Sequence, residues 1–378
     1  MRQLNSILIK PAGSFCTIQC DYCFYLDKHR LYEGAAATHR MDEAVLERLV
    51  RGMFECSAAP SFIWQGGEPT VMGLEFFELA VALQKRYCKP GQSYNNALQT
   101  NGMLLSPAWA EFLQRERFLV GISLDGPPAI HDHYRKDRQG KGTFRRVFDN
   151  ARLLLERGVP VNVLATVNDC SARHAGEIYR FFVDHGFTFM QFSPILERDP
   201  ADPARLARYS VTAEDYGLFL HRLFEAWIAD FDWRRLRQKT SIRFFDSLLH
   251  IYLGMPSDHC ALQADCSVYL VVEHNGDLYS CDFLVSEETR VGNLRTTSLR
   301  QAFDSPAHAA FGRRKAAYGE KCRRCRWLAV CHGGCVKDRL YDPSDHGHNH
   351  YCRSYEYFFQ KVHPDLTKLA ALYRQHYL

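Results

Sequence analysis

Short apolar runs alternate with amphipathic stretches along the first half of the chain, and this alternation constrains the fold more than any other feature. The apolar runs have the length and residue types of strands, and the amphipathic stretches have the period of helices. Such alternation predicts a parallel sheet covered by helices. The predicted strands are 6–9, 61–64, 96–98, 119–123, 161–167 and 187–192, and the predicted helices between them include 42–55, 74–86, 144–156 and 172–185.

Six strand-and-helix units are too few for a closed eight-stranded barrel. The pattern therefore leaves a partial barrel or an open doubly wound sheet, and both place their site at the carboxyl ends of the strands. A loop rich in Pro, Asp and Arg over 197–208 and an amphipathic helix over 212–230 follow the sixth strand. We predict one domain over 1–235 and a second over 236–378.

The second part of the chain has a different sequence pattern, with a hairpin signal and a cysteine-rich segment. Asn275-Gly276 separates strand patterns over 269–273 and 277–280, and this dipeptide favours the tight turn of a hairpin. The segment 322–352 is rich in cysteine and loops, and a last helix is predicted over 364–377.

Charge and hydropathy exclude some classes of partner. The 47 Lys and Arg residues exceed the 43 Asp and Glu residues by only 4, so nucleic acid is not an expected partner. The first ten residues lack a secretory pattern, and no run approaches the roughly 18 apolar residues of a membrane span. We expect a cytoplasmic protein whose thiols stay reduced.

Fourteen cysteines in a chain of this size point to metal rather than to disulfides. Cys16, Cys20 and Cys23 directly follow the first predicted strand. A four-iron cluster ordinarily takes four cysteines, so three would leave one iron open to a ligand. A zinc site of three cysteines and a distant histidine is the alternative.

A second set of eight cysteines can form two sites of four ligands each, but their spacing does not choose between iron–sulfur clusters and zinc. The three that remain are predicted to be buried, inert thiols. The second set is Cys260, Cys266, Cys281, Cys322, Cys325, Cys331, Cys335 and Cys352, and the remaining three are Cys56, Cys88 and Cys170.

Several motifs resemble those of a known superfamily. They are residues 20–25, Trp64-Gln-Gly-Gly-Glu-Pro-Thr, Leu98-Gln-Thr-Asn-Gly, Ser123-Leu-Asp-Gly-Pro and Cys281-Asp282-Phe283. Together with the cysteine sets, they resemble the radical S-adenosylmethionine superfamily with a SPASM-type extension, and more closely the anaerobic sulfatase-maturating enzymes. The resemblance implies a partial (β/α)6 TIM-like barrel followed by a cysteine-rich SPASM domain.

The resemblance also implies the reaction. In this family a 5′-deoxyadenosyl radical, derived from S-adenosylmethionine at the open iron, takes a hydrogen atom from a Cys or Ser of a sulfatase polypeptide. The residue becomes Cα-formylglycine under anaerobic conditions, by chemistry that cofactors must supply. The implied cofactor-binding residues are Tyr22, Gly66, Gly67, Glu68, Ser123, Arg135 and Leu196.

By the same resemblance Asp282 is the catalytic base, and Tyr25 and Gln65 face the substrate peptide. Without the resemblance, Asp282 would be interpreted as a turn or capping residue. The eight C-terminal cysteines resemble the ligands of two auxiliary four-iron clusters, which would carry away the second electron of the oxidation. The first cluster is assigned to Cys260, Cys266, Cys281 and Cys335, and the second to Cys322, Cys325, Cys331 and Cys352.

Two further patterns are interpreted as structural. His346, His348 and His350 look like a metal-binding tract, but a solvated loop is favoured because the cysteines already complete every site. Gly333-Gly334 is expected to allow a tight turn beside a cluster rather than to bind phosphate.

Two other functions are considered. A SPASM-type maturase could form thioether or carbon–carbon crosslinks in ribosomal peptides, but with 15 residues before Cys16 we expect no leader-binding domain. A zinc-stabilised, non-catalytic binding scaffold would use its cysteines only for structure. The favoured interpretation has an unfolded sulfatase segment of Cys/Ser-x-Pro-x-Arg type as substrate and an electron donor such as flavodoxin or ferredoxin.

Overall fold

A computed structural model describes residues 3–32, 39–340 and 348–377, and within them the chain has an α/β fold. All six predicted strands are confirmed, with ends that differ by at most two residues. The strands are β1 (Ser6–Lys10), β2 (Ile18–Cys20), β3 (Ser61–Trp64), β4 (Asn95–Thr100), β5 (Leu119–Ser123), β6 (Arg135–Asp137), β7 (Val161–Val167), β8 (Phe189–Pro194), β9 (Ser241–Ile242), β10 (Leu270–Glu273), β11 (Asp277–Tyr279) and β12 (Arg290–Asn293).

The predicted helices are also confirmed, and further short helices join them. The α-helices are α1 (Glu43–Cys56), α2 (Leu74–Tyr87), α3 (Pro107–Arg115), α4 (Pro128–Tyr134), α5 (Phe144–Glu156), α6 (Ala175–Asp184), α7 (Ala213–Ala229), α8 (Arg243–Tyr252), α9 (Leu299–Phe303), α10 (Pro306–Arg313), α11 (Glu320–Arg323), α12 (Leu328–Cys331), α13 (Lys337–Leu340) and α14 (Cys352–Tyr377). In the described part of the chain, none of them has the length and apolar character to cross a membrane.

The chain packs as two compact units. The first contains the chain up to Ser123, Arg135–Val161 and Cys266–Arg314. The second contains Leu124–Tyr134, Asn162–Asp265 and Lys315–Leu378. The domain boundary near residue 235 stays a prediction. It divides the sequence at one point, whereas each packed unit combines several separate segments of the chain.

The first unit is built on strands in the order β12-β11-β10-β1-β3-β4-β5. The strands β10, β1, β3, β4 and β5 run parallel, and β10, β11 and β12 run antiparallel. Ile7, Ile9, Phe62 and Trp64 are completely buried, so apolar side chains on alternate strand positions form the core. The predicted hairpin is confirmed as β10 and β11.

The second unit contains the parallel strands β7, β8 and β9 and a core of aromatic rings. Phe358 of α14 lies 6.1 Å from the Phe224 ring of α7 and 5.8 Å from the Phe245 ring of α8. The prediction that the last helix begins at Pro364 was wrong, because α14 begins at Cys352 and Pro364 lies inside it. Aromatic packing of the preceding turns stabilises a helix that the proline alone would disfavour.

Candidate functional site

The three-cysteine loop follows β1 in the first unit. Cys20 ends β2, which pairs with β6 so that Cys20 lies opposite Arg135. The backbone N–H of Cys23 donates to the carbonyl of Cys20 over 3.1 Å, which closes a turn between these two cysteines. Strand pairing and this turn therefore fix two of the three thiols on one loop.

The first thiol, Cys16, is held by the loop after β4. Asn101 Nδ2 donates to Cys16 Sγ at 3.3 Å and to Thr17 Oγ1 at 3.0 Å. Burial, with the nearby Glu68 carboxylate as a second cause, raises the pKa of the Cys16 thiol to about 11. Without a cation this thiol stays protonated, so a positively charged iron centre is what would hold it as the thiolate ligand.

The Gly66-Gly67-Glu68 run packs directly against this loop. The backbone N–H of Gly67 donates to Gly13 O, and that of Glu68 donates to Phe15 O, each over 2.8 Å. A Cβ on Gly67 would lie 2.2 Å from Phe15 O, so only glycine fits at this crossing of two main chains. The run thus supports the cysteine loop through its backbone.

The Glu68 side chain is held by hydrogen bonds within the chain, and its predicted role in cofactor binding stays a prediction. Its completely buried carboxylate accepts hydrogen bonds from the Thr70 N–H and hydroxyl, from the Thr100 hydroxyl and from the Asn101 N–H, over 2.6 to 3.0 Å. Burial raises the pKa of Glu68 and these hydrogen bonds oppose the rise. The chain's own donors occupy this carboxylate, which joins the loops after β3 and β4.

The other predicted cofactor-binding residues lie in both units. In the first, the Arg135 guanidinium lies 5.5 Å from the centre of the buried Tyr22 ring. Ser123, at the end of β5, accepts a 3.0 Å hydrogen bond from Gln99 Nε2. In the second unit, Leu196 follows β8 and is completely buried. Their predicted contact with the cofactor stays a prediction.

Asp282 lies in the first unit with three polar neighbours. Tyr269 donates from its hydroxyl to Asp282 Oδ1 at 3.2 Å, and Gln65 Nε2 is 3.5 Å from Oδ2. The ammonium of Lys10 is 3.9 Å from the same oxygen, and only 12% of the Asp282 side chain is exposed. Two predicted residues, Gln65 and Asp282, are therefore brought together, and Lys10 and Tyr269 join them.

Tyr25 is buried, and its hydroxyl is hydrogen-bonded to a buried carboxylate. Its hydroxyl donates to Glu273 Oε1, and the Lys10 ammonium lies 4.7 Å from the centre of its ring. Burial and the nearby Glu273 raise the pKa of Tyr25 well above its usual value. Glu273 Oε2 is buried without a hydrogen-bond partner in the described structure. The Tyr25 hydroxyl is thus bonded within the chain, and the predicted contact of Tyr25 with the substrate stays a prediction.

Sequence reasoning missed Lys10, Glu273 and Tyr269. Lys10 and Glu273 are paired in register at the carboxyl ends of β1 and β10, and they are 2% and 0% exposed. A charged residue that ends an otherwise apolar buried strand is the signal that could have identified both.

The second predicted auxiliary set comes together in the second unit. Burial raises the pKa of Cys352 to about 11, with the Glu356 carboxylate as a second cause, and burial also raises the pKa of Cys331, with Cys325 and Cys322 as further causes. One cavity is bordered by all four cysteines of this set, Cys322, Cys325, Cys331 and Cys352, together with side chains that include Trp327 and Tyr355. Four thiols around one cavity fit a four-iron cluster.

The ligands predicted for the first auxiliary cluster are distributed over both units. Cys266 and Cys281 belong to the first unit, and Cys260 and Cys335 belong to the second. Tyr269 Oη is 4.0 Å from Cys281 Sγ, which puts this cysteine beside Asp282 and its neighbours. Their assignment to one cluster stays a prediction. Among the described residues, no three Cys, His, Asp or Glu side chains are close enough to share a single metal ion.

The predicted burial of the remaining three cysteines is confirmed for only one of them. Cys56 is buried as expected, but Cys88 and Cys170 are half-exposed. The prediction of burial was wrong for these two because both lie just outside a regular element, Cys88 at the end of α2 and Cys170 in the loop after β7.

The two structural interpretations have different outcomes. Gly333 and Gly334 have φ values of 71° and 67°, and the Gly334 N–H donates to Cys331 O at 2.8 Å, which confirms a tight turn. His346 lies outside the described residues. His350 is half-buried and its Nε2 is 3.1 Å from Val211 O, so the expected solvated loop was wrong at this residue.

Comparison with known proteins places this geometry in a family. The model of the radical SAM superfamily matches residues 11–177, and the model of the SPASM iron–sulfur cluster-binding domain matches residues 265–326. A cysteine-type anaerobic sulfatase-maturating enzyme from Clostridium perfringens is 38% identical over 97% of this chain and 98% of its own length. The chain belongs to the anaerobic sulfatase-maturating enzymes.

A second type within this family is also similar. A serine-type anaerobic sulfatase-maturating enzyme from Bacteroides thetaiotaomicron is 34% identical over 95% of this chain and 89% of its own length. The sulfatase-maturating chain described here is therefore a radical SAM enzyme with a SPASM domain, whose cofactors are S-adenosylmethionine and iron–sulfur clusters.

Solved structures agree with this assignment. The structure described as native anSMEcpe with bound AdoMet and Cp18Cys peptide matches with a TM-score of 0.87 and 37% identity, over 97% of this chain and 99% of that one. Streptococcus suis SuiB bound to its precursor peptide SuiA matches with a TM-score of 0.63 and 18% identity, over 90% of this chain and 73% of that one. The likeness to SuiB shows the fold alone.

Proposed function

We propose that this enzyme oxidises a Cys or Ser in an unfolded sulfatase segment to Cα-formylglycine under anaerobic conditions. The observation that carries this proposal is the position of Asp282, largely buried beside Gln65, Tyr269 and Lys10 and next to Cys281. A carboxylate in such a place is suited to accept a proton from a substrate hydroxyl or thiol.

Most of the residues proposed to hold the cofactors belong to the first unit. Cys16, Cys20 and Cys23 would hold a four-iron cluster with one iron open, and when S-adenosylmethionine binds there it supplies the radical that removes hydrogen from the β-carbon. Gly66 and Gly67 let main chain approach closely, and Arg135 offers a guanidinium that can pair with a carboxylate. Glu68 acts indirectly, by holding the loops in place.

Lys10 and Tyr269 position the base in this proposal. Each contacts a different oxygen of Asp282, so the carboxylate cannot rotate without breaking one of these contacts. The ammonium of Lys10 also lies against the Tyr25 ring, whose hydroxyl is fixed by Glu273. A substrate segment near Gln65 and Tyr25 would thus contact polar side chains whose positions are fixed, which favours a single reactive geometry.

The auxiliary sites complete the proposal. Asp282 follows Cys281 directly, so an electron that leaves the substrate beside the base would have a short path to a cluster held by this cysteine. An external carrier such as flavodoxin or ferredoxin would exchange electrons with the enzyme.

We favour a cysteine-containing client. The relative named as cysteine-type is 38% identical to this chain and the one named as serine-type is 34% identical. The two substrates differ in one atom, so the same base can serve both, and the preference is a matter of rate.

Anaerobic turnover of a short Cys-x-Pro-x-Arg peptide tests the proposal. With S-adenosylmethionine and dithionite, mass spectrometry should detect the conversion of thiol to aldehyde, and a Ser peptide should react more slowly. A crosslinked peptide would favour the ribosomal-peptide maturase, and a colourless protein with stoichiometric zinc and no iron would favour the binding scaffold.

A further inference from the structure

Exposed cationic side chains flank the second auxiliary set of cysteines in the sequence, and one of them, Lys321, borders the cavity. Within residues 321–326 four of six positions are Lys or Arg, and they alternate with two of the predicted ligands. A fifth cation directly follows Cys352. We name these residues the cationic rim, and they are Lys321, Arg323, Arg324, Arg326 and Arg353, all exposed.

Acidic residues neutralise only part of this charge. Lys321 pairs with Glu356 at 3.2 Å, and Arg324 pairs with Glu320 at 2.6 Å. Arg323 donates to the carbonyl of Tyr318, and no carboxylate of the described residues pairs with it.

Arg326 lies 4.6 Å from the centre of the Trp327 ring, so it packs against an aromatic face and retains its charge. Within the described residues, five cations thus stand against two paired carboxylates.

A charged group that only balances a buried cluster is expected to be buried itself. Lys315, in the same unit, is such a group, because it is completely buried and its ammonium donates to the carbonyls of Cys260 and Ala261. The rim side chains are instead turned to solvent: 80% of the Arg324 side chain and 45% of that of Lys321 are exposed. Exposed charge acts mainly on an approaching partner.

The cysteines behind the rim are themselves only half-buried. A cluster held by them would lie close to the surface, and a short distance to the surface is what an electron-transfer partner needs. Redox encounters use small interfaces, and complementary charge guides their association.

We propose that the cationic rim docks an acidic one-electron carrier protein of the flavodoxin class at the second auxiliary cluster. This inference rests on the proposed function, because it gives the electron carrier of that reaction a docking surface. The net charge of the whole chain is only +4, so the attraction is local to the rim rather than general for polyanions.

Binding of a flavodoxin to the holoenzyme tests the inference. Fluorescein-labelled flavodoxin is titrated anaerobically with the iron-loaded enzyme at low salt, and fluorescence anisotropy gives Kd. The rim variant is Arg324→Glu with Arg326→Glu and Arg353→Glu. The matched control carries the same charge change in the same unit at the exposed residues Arg205, Arg234 and Arg235, each also replaced by Glu.

We expect the rim variant to weaken binding by about tenfold or more, and the control variant by less than about twofold. Binding to the wild-type enzyme should weaken as salt rises, because salt screens exposed charge. Iron content, which should be about twelve per chain in all three proteins, shows that the rim variant has kept its clusters.

Equal Kd values for the rim and control variants would overturn the inference. So would an RNA oligonucleotide that displaces flavodoxin and binds more tightly than it, because the rim would then be a polyanion site. Dithionite-driven turnover of the wild type separates the two proposals: formylglycine without flavodoxin docking at the rim refutes only the docking surface.

Discussion

The three-cysteine loop of the first unit and the four-cysteine cavity of the second are built in opposite ways. The loop is fixed by strand pairing, by main-chain hydrogen bonds from the glycine run and by Asn101, which contacts a thiol directly. The cavity is bordered by the short helices α11 and α12 and by the first turns of α14, and exposed cationic side chains flank its cysteines in the sequence.

This difference corresponds to different tasks. A loop that must leave one iron open to a cofactor needs its ligands fixed, because a misplaced open position loses the reaction. A cluster that only passes electrons tolerates exposure and gains from charge at its edge. Substitutions in the two regions should therefore have different effects on iron content and on product formation.

Gly67→Ala should abolish product formation. The added Cβ would lie 2.2 Å from Phe15 O, so the main chain beside Cys16 must shift. Iron content should fall by about one third, because only the cluster of the first unit is affected. Iron analysis and an anaerobic peptide assay measure both effects.

Gly176→Ala is the matched control for this change. Gly176 lies in α6, and its added Cβ would meet only the flexible Arg180 side chain, at 3.6 Å. Activity and iron should stay at wild-type values, with a small gain in stability of about 0.4–1 kcal/mol. If both alanine variants keep full activity, the close approach at Gly67 does not support the cluster loop.

Asp282→Asn should lower formylglycine formation by about 10²- to 10⁴-fold, because the amide cannot accept the substrate proton. Iron content and cleavage of S-adenosylmethionine should persist. Asp149→Asn, at an exposed carboxylate paired with Arg145, serves as the control and should have no effect. A full product yield from Asp282→Asn removes this residue from the role of base.

Lys10→Met should lower product formation by about tenfold, since Asp282 then loses the contact that orients one of its oxygens. The informative measurement is the ratio of S-adenosylmethionine cleaved to product formed, which should rise while iron content stays constant. Lys85→Met, at a lysine that is 57% exposed and paired with Glu116, is the control. An unchanged ratio in Lys10→Met would mean that the lysine serves stability alone.

Cys352→Ala should remove about four irons and leave the cluster of the first unit intact. Cleavage of S-adenosylmethionine should therefore continue, in contrast to Gly67→Ala, and electron paramagnetic resonance of the reduced protein distinguishes the two losses. Loss of all iron from Cys352→Ala would show that the two regions do not assemble independently.

Cys88→Ser and Cys170→Ser should have the smallest effects. Both thiols are half-exposed and outside the predicted ligand sets, so iron content and activity should stay within about twofold of wild type. Loss of iron in either variant would require a new assignment of the cysteines.

Local sequence patterns were sufficient to predict most of the strands and the longer helices. The periodicity that predicts β1, β3, β4, β5, β7 and β8 is confined to short windows, and so is the Asn-Gly signal of the hairpin. The pairing of β10 with β1 was not predictable in this way, because it joins residues more than 250 positions apart and no local pattern specifies a parallel register.

The same limit explains what was missed at the site. Lys10 and Asp282 meet only because of that distant pairing, and the carboxylate of Glu68 is occupied by residues of another loop. The start of α14 was missed for a related reason, since Pro364 argues locally against a helix that tertiary packing stabilises.

Transfer of a labelled hydrogen tests whether the 5′-deoxyadenosyl radical takes its hydrogen atom from the β-carbon of the substrate cysteine. A Cys-x-Pro-x-Arg peptide deuterated at the cysteine β-carbon is turned over anaerobically, and the 5′-deoxyadenosine formed is analysed by mass spectrometry. If the radical takes this hydrogen, 5′-deoxyadenosine gains one deuterium for each aldehyde produced. Formation of the aldehyde with unlabelled 5′-deoxyadenosine would contradict this transfer.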